Sequence, residues 1–242
     1  MPRHRRYFPY PRRRVDYLTH ISRRHDYVYL EVPKAGCSVV KRVLQHSEVD
    51  GIGLDPAASV HDRSKSPLAA PLTDGFDMDV VFGPDSPYFR FSFVRNPYTR
   101  ALSCYLEKIA GEQWLREIRL PALGFAADAE VSFAEFLHRV REQDPRRMDT
   151  HWAPQSFLLS LARIEYGFLG RFETFQRDLL RLVETLDLQV PADLLERRTA
   201  HVTGADQRLR DYYNPETVSL VREIYREDFE RLGYGIDLRF AA

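Results

Sequence analysis

The chain has 242 residues, 44% of them apolar and 12% aromatic, with 35 basic side chains against 35 acidic ones. That is enough for one large domain with a real core, which excludes wholesale disorder and a collagen-like composition. Zero net charge argues against a generic nucleic-acid coat, because neutralising phosphates takes a basic surplus.

Residues 1–24 are rich in Arg, Pro and Tyr and show little apolar periodicity. They read as a loosely packed basic N-terminal arm, with Arg12, Arg13 and Arg14 able to attract an anionic surface. Residues 25–242 read as a single domain. Tyr27 to Val32 is a β-branched and aromatic run stopped by Pro33, which predicts a strand. A turn of small residues follows, then a helix with Val39, Val40, Val43 and Leu44 on its apolar face. Residues 50–87 are loop-like, and Tyr88 to Val94 predicts a second strand. Asn96 as N-cap and Pro97 at the first helical position start the next helix. Ser132 to Glu135 is a capping box for a helix to about Arg141. Further on, helices are predicted over 154–162, 175–186 and 191–198, and a short strand from Ile164 to Phe168. Asn214-Pro215 opens one long helix whose apolar stripe ends at Gly233. Strands separated by helices predict an α/β fold: a P-loop-like parallel sheet flanked by helices, with a helix-rich C-terminal half.

Only four of the 35 basic residues are lysines (Lys34, Lys41, Lys65 and Lys108), so a lysine inside a motif is a less casual choice than an arginine. Cys37 and Cys104 cannot form a disulfide framework and have no zinc-type spacing, so no metal site is expected. No apolar run is long enough to cross a bilayer, and the basic start lacks the apolar stretch of a secretory signal. A cytoplasmic protein is the expectation.

Two segments carry chemistry. Pro33-Lys34-Ala35-Gly36-Cys37-Ser38, between strand and helix, exposes backbone N–H groups at a helix start and suits a phosphate. It is not a Walker A loop, because GxxxxGK[ST] is absent. In the second segment Arg95 ends a strand, and Ser103 lies two turns into the helix that follows. A guanidinium and a hydroxyl there can converge on a second anion. Arg100, in the same helix, reads as a solvent-facing residue.

Two strand–loop anion sites about sixty residues apart fit a nucleotide with two separate phosphate groups. Here the chain resembles the sulfotransferases: residues 33–38 are similar to their 5′-phosphosulfate loop, and Arg95 through Ser103 to their 3′-phosphate motif. Three further blocks resemble the carbohydrate sulfotransferases that act on chondroitin and dermatan: His151-Trp152-Ala153-Pro154-Gln155, Tyr166 to Thr174, and Tyr212-Tyr213 with a terminal segment from Asp228 to Tyr234. The resemblance spans roughly residues 27–234. Leu159 and Ala162 stand where the family commonly has cysteines, and Gly167 where it tends to have Asp. The family's usual N-terminal membrane anchor has no counterpart at this start. These departures agree with a soluble enzyme of a reducing compartment, as in a bacterium.

The resemblance implies sulfuryl transfer from 3′-phosphoadenosine 5′-phosphosulfate (PAPS) to a hydroxyl of a saccharide or other small metabolite. The product would be 3′-phosphoadenosine 5′-phosphate. Lys34 would neutralise charge on the bridging oxygen. The amides of Ala35, Gly36, Cys37 and Ser38 and the Ser38 hydroxyl would hold the 5′-phosphate, with Arg95 and Ser103 on the 3′-phosphate. Arg208 would help to cover the nucleotide. His61, between the two motifs in order, is the candidate base, and His151 is the alternative. Trp114 is a candidate saccharide contact. Two competing readings are a P-loop nucleotide kinase and a non-catalytic nucleotide-binding scaffold.

Overall fold

The computed structural model describes residues 3–55, 57–196 and 203–241. In chain order the first elements are α1 (Arg12–Leu18), β1 (Thr19–Ile21), β2 (Tyr27–Leu30), α2 (Cys37–Val49), α3 (Met78–Phe82) and β3 (Phe89–Val94). Four helices follow: α4 (Pro97–Lys108), α5 (Gln113–Arg119), α6 (Phe133–Arg141) and α7 (Gln155–Leu158). After them come β4 (Phe168–Arg171), α8 (Phe175–Thr185), α9 (Ala192–Glu196), α10 (Leu209–Tyr212), α11 (Pro215–Ile224) and α12 (Arg226–Leu232). None of the described helices is long and apolar enough to cross a membrane. The chain divides into two compact units, one made of residues 1–94 and 159–200, the other of 95–158 and 201–242.

The first unit holds the sheet, in the order β1-β2-β3-β4. β2, β3 and β4 run parallel, with Tyr27 opposite Phe89 and Phe91 opposite Phe168, while β1 is an antiparallel edge with Thr19 opposite Leu30. All four residues of β2 are buried, as expected for a strand covered on both faces. The last predicted strand is displaced: β4 starts at Phe168, where the predicted strand ended, and its pairing with Phe91 through Val94 sets the position. Asp178 of α8 fastens this strand by accepting from the Arg171 amide (2.9 Å) and the Thr174 hydroxyl (2.8 Å). The predicted 191–198 helix is observed as α9, and Arg197 and Arg198 lie outside the described residues.

The N-terminal segment read as a loose arm is part of this unit. α1 and β1 lie inside it, and Tyr7, Phe8, Tyr10, Val15 and Leu18 are buried. Phe8 meets the Phe82 ring edge-on at 5.0 Å. Its aromatic residues supply the apolar burial that the run of arginines obscures in the sequence.

The second unit is helical. Asn96 caps α4 by accepting from the Tyr98 amide, and the Ser132–Glu135 capping box starts α6. The helix predicted for 154–162 is only α7. The predicted terminal helix is two helices, because Tyr225 leaves helical geometry and donates its hydroxyl to the Trp152 carbonyl (2.9 Å). Gly233, at φ 64°, closes α12 in the left-handed conformation that favours glycine. Arg100 is buried, not solvent-facing: it donates to the Ala153 (2.9 Å) and Thr150 (3.2 Å) carbonyls and so ties α4 to the segment before α7.

Candidate active site

β2 and β3 are parallel neighbours, so their carboxyl ends share one edge of the sheet. From β2 the chain passes through Pro33 to Gly36 into α2. Two residues of this turn have left-handed backbones, Lys34 at φ 72° and Gly36 at φ 84°. A Cβ on Gly36 would come within 2.4 Å of the Phe175 ring at the start of α8, so both conformation and space require glycine. Gly36 offers α2 no side-chain cap. Val39 and Val40 donate to the Gly36 carbonyl (3.1 and 3.2 Å), so the amides of Cys37 and Ser38 precede the first intrahelical bonds. They carry the positive end of the dipole, an arrangement that binds anions.

The Ser38 hydroxyl, one residue into α2, lies 2.9 Å from His61 Nε2. His61 is the candidate base, and the structure brings it to the loop. Its other ring nitrogen, Nδ1, lies 2.7 Å from Lys41 Nζ and 3.6 Å from Glu31 Oε1. Lys41 also donates to Glu31 Oε2 at 2.7 Å, and both side chains are almost completely buried. On the far side of Glu31, His20 Nε2 lies 3.2 Å from Oε2, and Arg63 donates to His20 Nδ1 at 2.5 Å. Burial alone would raise the Glu31 carboxyl, but Lys41, with hydrogen bonds from His20 and His61, outweighs it and holds the carboxyl well below its usual range. Burial depresses His20 to about 4, which keeps it neutral. Glu31, Cys37 and His61 place potential metal-ligand atoms within 4.8 Å of one another, but Lys41 already supplies positive charge to two of these groups. The sequence reading missed Glu31, Lys41, His20 and Arg63, of which His20 and Arg63 lie 43 positions apart. The one available signal was Lys41 itself, a rare lysine in an Arg-rich chain.

In the second unit, Thr99 and Ser103 lie four residues apart on one face of α4, and Arg95 stands just before its N-cap, Asn96. Arg95 is 5% exposed and donates through Nε to the Thr99 hydroxyl (3.1 Å), and Ser103 Oγ accepts from the Thr203 hydroxyl (3.0 Å). The main chain of Arg95 is held at both ends by one side chain. Gln155 Oε1 accepts from the Arg95 amide (2.9 Å), and Gln155 Nε2 donates to the Arg95 carbonyl (2.8 Å). Asp228 of α12 in turn accepts from the Gln155 amide (2.9 Å) and the Ser156 amide (2.7 Å). The 151–155 block is thus a support for Arg95, with Trp152 buried and donating to Gln143.

His151 bonds Asp149 through Nδ1 (2.6 Å), and Asp149 also pairs with Arg119. Burial lowers the imidazole of His151. Arg208 is exposed, bonded to the Tyr212 hydroxyl (2.8 Å) and placed over its ring. Trp114, on α5, is also exposed.

The model of the Sulfotransferase family matches residues 18–235. The chain belongs to the sulfotransferase family. This sulfotransferase is 29% identical over 250 residues to carbohydrate sulfotransferase 14 of Danio rerio, covering 93% of this chain and 64% of that protein. It is 31% identical over 195 residues to the Homo sapiens protein of the same name, covering 76% and 50%. With carbohydrate sulfotransferase 8 of Mus musculus it shares 33% over 185 residues, covering 68% and 44%. The chain therefore spans about half to two thirds of the length of these relatives. No solved structure matches it.

Proposed function

We propose that this sulfotransferase moves a sulfuryl group from PAPS to a saccharide hydroxyl. The observation that carries the reading is the uncapped start of α2 with Ser38 and His61 joined beside it. The named activity of the relatives, carbohydrate sulfotransferase, supports the acceptor class.

The residues present suit such a donor. Gly36 keeps the loop free of a side chain, and the amides of α2 with the Ser38 hydroxyl are donors for the 5′-phosphate. When bound, PAPS supplies the activated sulfuryl group. Lys34 would neutralise the charge that builds on the bridging oxygen, which stays with the nucleotide as the sulfur–oxygen bond opens. Arg95 and Ser103 would hold the 3′-phosphate, with Gln155 fixing the backbone from which Arg95 projects. His61 is the proposed base for the acceptor hydroxyl. His151, with Nδ1 bonded to Asp149, is the alternative base.

Calorimetric titration of the full chain with 3′-phosphoadenosine 5′-phosphate and with AMP, without magnesium, tests the donor. Tighter binding of the bisphosphate is expected, and equal affinities refute the roles of Arg95 and Ser103. Transfer of labelled sulfate from PAPS to desulfated chondroitin tests the reaction, with loss of transfer expected in Lys34→Ala and His61→Asn. Magnesium-dependent ATP turnover in place of transfer would refute the proposal.

A further inference from the structure

The hydrogen bonds around His61 have a direction that follows from donor chemistry alone. An ammonium has three N–H donors and no acceptor. Lys41, ion-paired with Glu31, can therefore meet His61 Nδ1 only as a donor, and the ring nitrogen must present its lone pair. A neutral imidazole then carries its proton on Nε2, which faces Ser38 Oγ at 2.9 Å. Ser38 must accept there, and its own O–H proton is left to point elsewhere. The same logic holds across Glu31: the guanidinium of Arg63 donates to His20 Nδ1, so His20 Nε2–H faces the carboxylate.

We infer that Lys41 and Glu31 are positioning residues that set the tautomer of His61, and through it aim the Ser38 hydroxyl proton at an anion bound by the loop. The relay runs from Lys41 to His61 to Ser38 to the anion, each group donating to the next. This rests on the donor assignment proposed above and adds a role for two residues that never touch the nucleotide. Glu31 after β2 and Lys41 and Cys37 from α2 face the ring, and across Glu31 stand His20 from β1 and Arg63 from the turn at 63–65. Glu31 Oε1, at 3.6 Å from Nδ1, is the alternative partner. For His61 to act as a base at Nε2 the ring first changes tautomer. Nε2 gives its proton to a solvent water, Nδ1 takes one from water as Lys41 turns wholly to Glu31 Oε2, and Oε1 accepts the new N–H. The total is unchanged. Lys41 therefore holds the form that orients Ser38, and Glu31 stands ready to hold the form that acts as a base.

Nitrogen-15 spectra of histidine-labelled full chain test this directly, with His61→Asn identifying the ring. At pH 8 the free protein should show His61 protonated on Nε2, with Nδ1 giving the signal of a hydrogen-bonded acceptor. Lys41→Met should move the proton to Nδ1 and weaken 3′-phosphoadenosine 5′-phosphate binding about tenfold, the loss of one well-aimed donor to a charged group. A wild-type ring protonated on Nδ1 overturns the inference, even if Lys41→Met fails to fold. So does a variant whose tautomer or nucleotide affinity is unchanged. The tautomer is read without any acceptor or turnover. Full sulfate transfer by His61→Asn would instead sink the assignment of His61 as base, and leave the tautomer result standing.

Discussion

His20 makes the folded chain sensitive to mild acid. It is fully buried between Glu31 and Arg63, and burial lowers its pKa from 6.5 to about 4. Above pH 6.5 neither folded nor unfolded chain binds this proton. As pH falls through 6.5 the unfolded chain takes it up, while the folded chain resists until about pH 4. Stability is therefore lost across that interval and the loss levels off below it. Linkage between these two values gives roughly 2 kcal/mol lost between pH 7 and pH 5 from this one group. Glu31 acts lower: its depressed carboxyl contributes stability above its usual range, which drains as pH falls further. Urea denaturation at pH 7, 6 and 5 measures the slope. In His20→Gln, whose amide can both donate and accept, the curve should be flatter by that amount, whatever the offset at pH 7. An identical slope in wild type and His20→Gln would refute the reasoning.

Three further outcomes follow from the geometry. Gly36→Ala should destabilise by roughly 2–5 kcal/mol in urea, combining a left-handed backbone with a clash against Phe175. Adding Phe175→Leu should recover the clash but not the backbone part, and a change below about 0.5 kcal/mol in the single variant would contradict both. Asp228→Ala strands the buried amides of Gln155 and Ser156, so a loss of roughly 2–4 kcal/mol is expected in thermal or urea unfolding. Cys37 is buried, and burial with the nearby Glu31 charge pushes its thiol up to about 12. It should stay silent to a thiol-reactive disulfide reagent at pH 8 until the chain unfolds, and fast labelling of Cys37 in the native protein would refute its burial.

Elements with local chemistry were legible in the sequence. Asn96-Pro97, the Ser132–Glu135 box, Asn214-Pro215 and Gly233 mark helix ends that the structure places where expected. Elements set by distant partners were not. β4 sits where Phe91 to Val94 can pair with it, and the terminal helix breaks at Tyr225 with no glycine or proline to announce it. The N-terminal segment failed for a different reason. Its arginines broke the apolar period, although Val15 and Leu18 face inward from α1 and the aromatic residues before it are buried. At the candidate site the loop 33–38 and His61 were visible as a motif and a position in order. The ion pair beneath them was not, because Glu31, just after β2, and Lys41, on α2, lie ten residues apart.

The grip of Gln155 on Arg95 has a practical consequence for anyone surveying variants of this enzyme. The glutamine grasps peptide groups and leaves the guanidinium alone, so damage at α7 or α12 would first misplace a main chain rather than remove a charge. Lesions near the C-terminus could then mimic the loss of an arginine more than a hundred positions upstream, and a search for contacts with the nucleotide would overlook them.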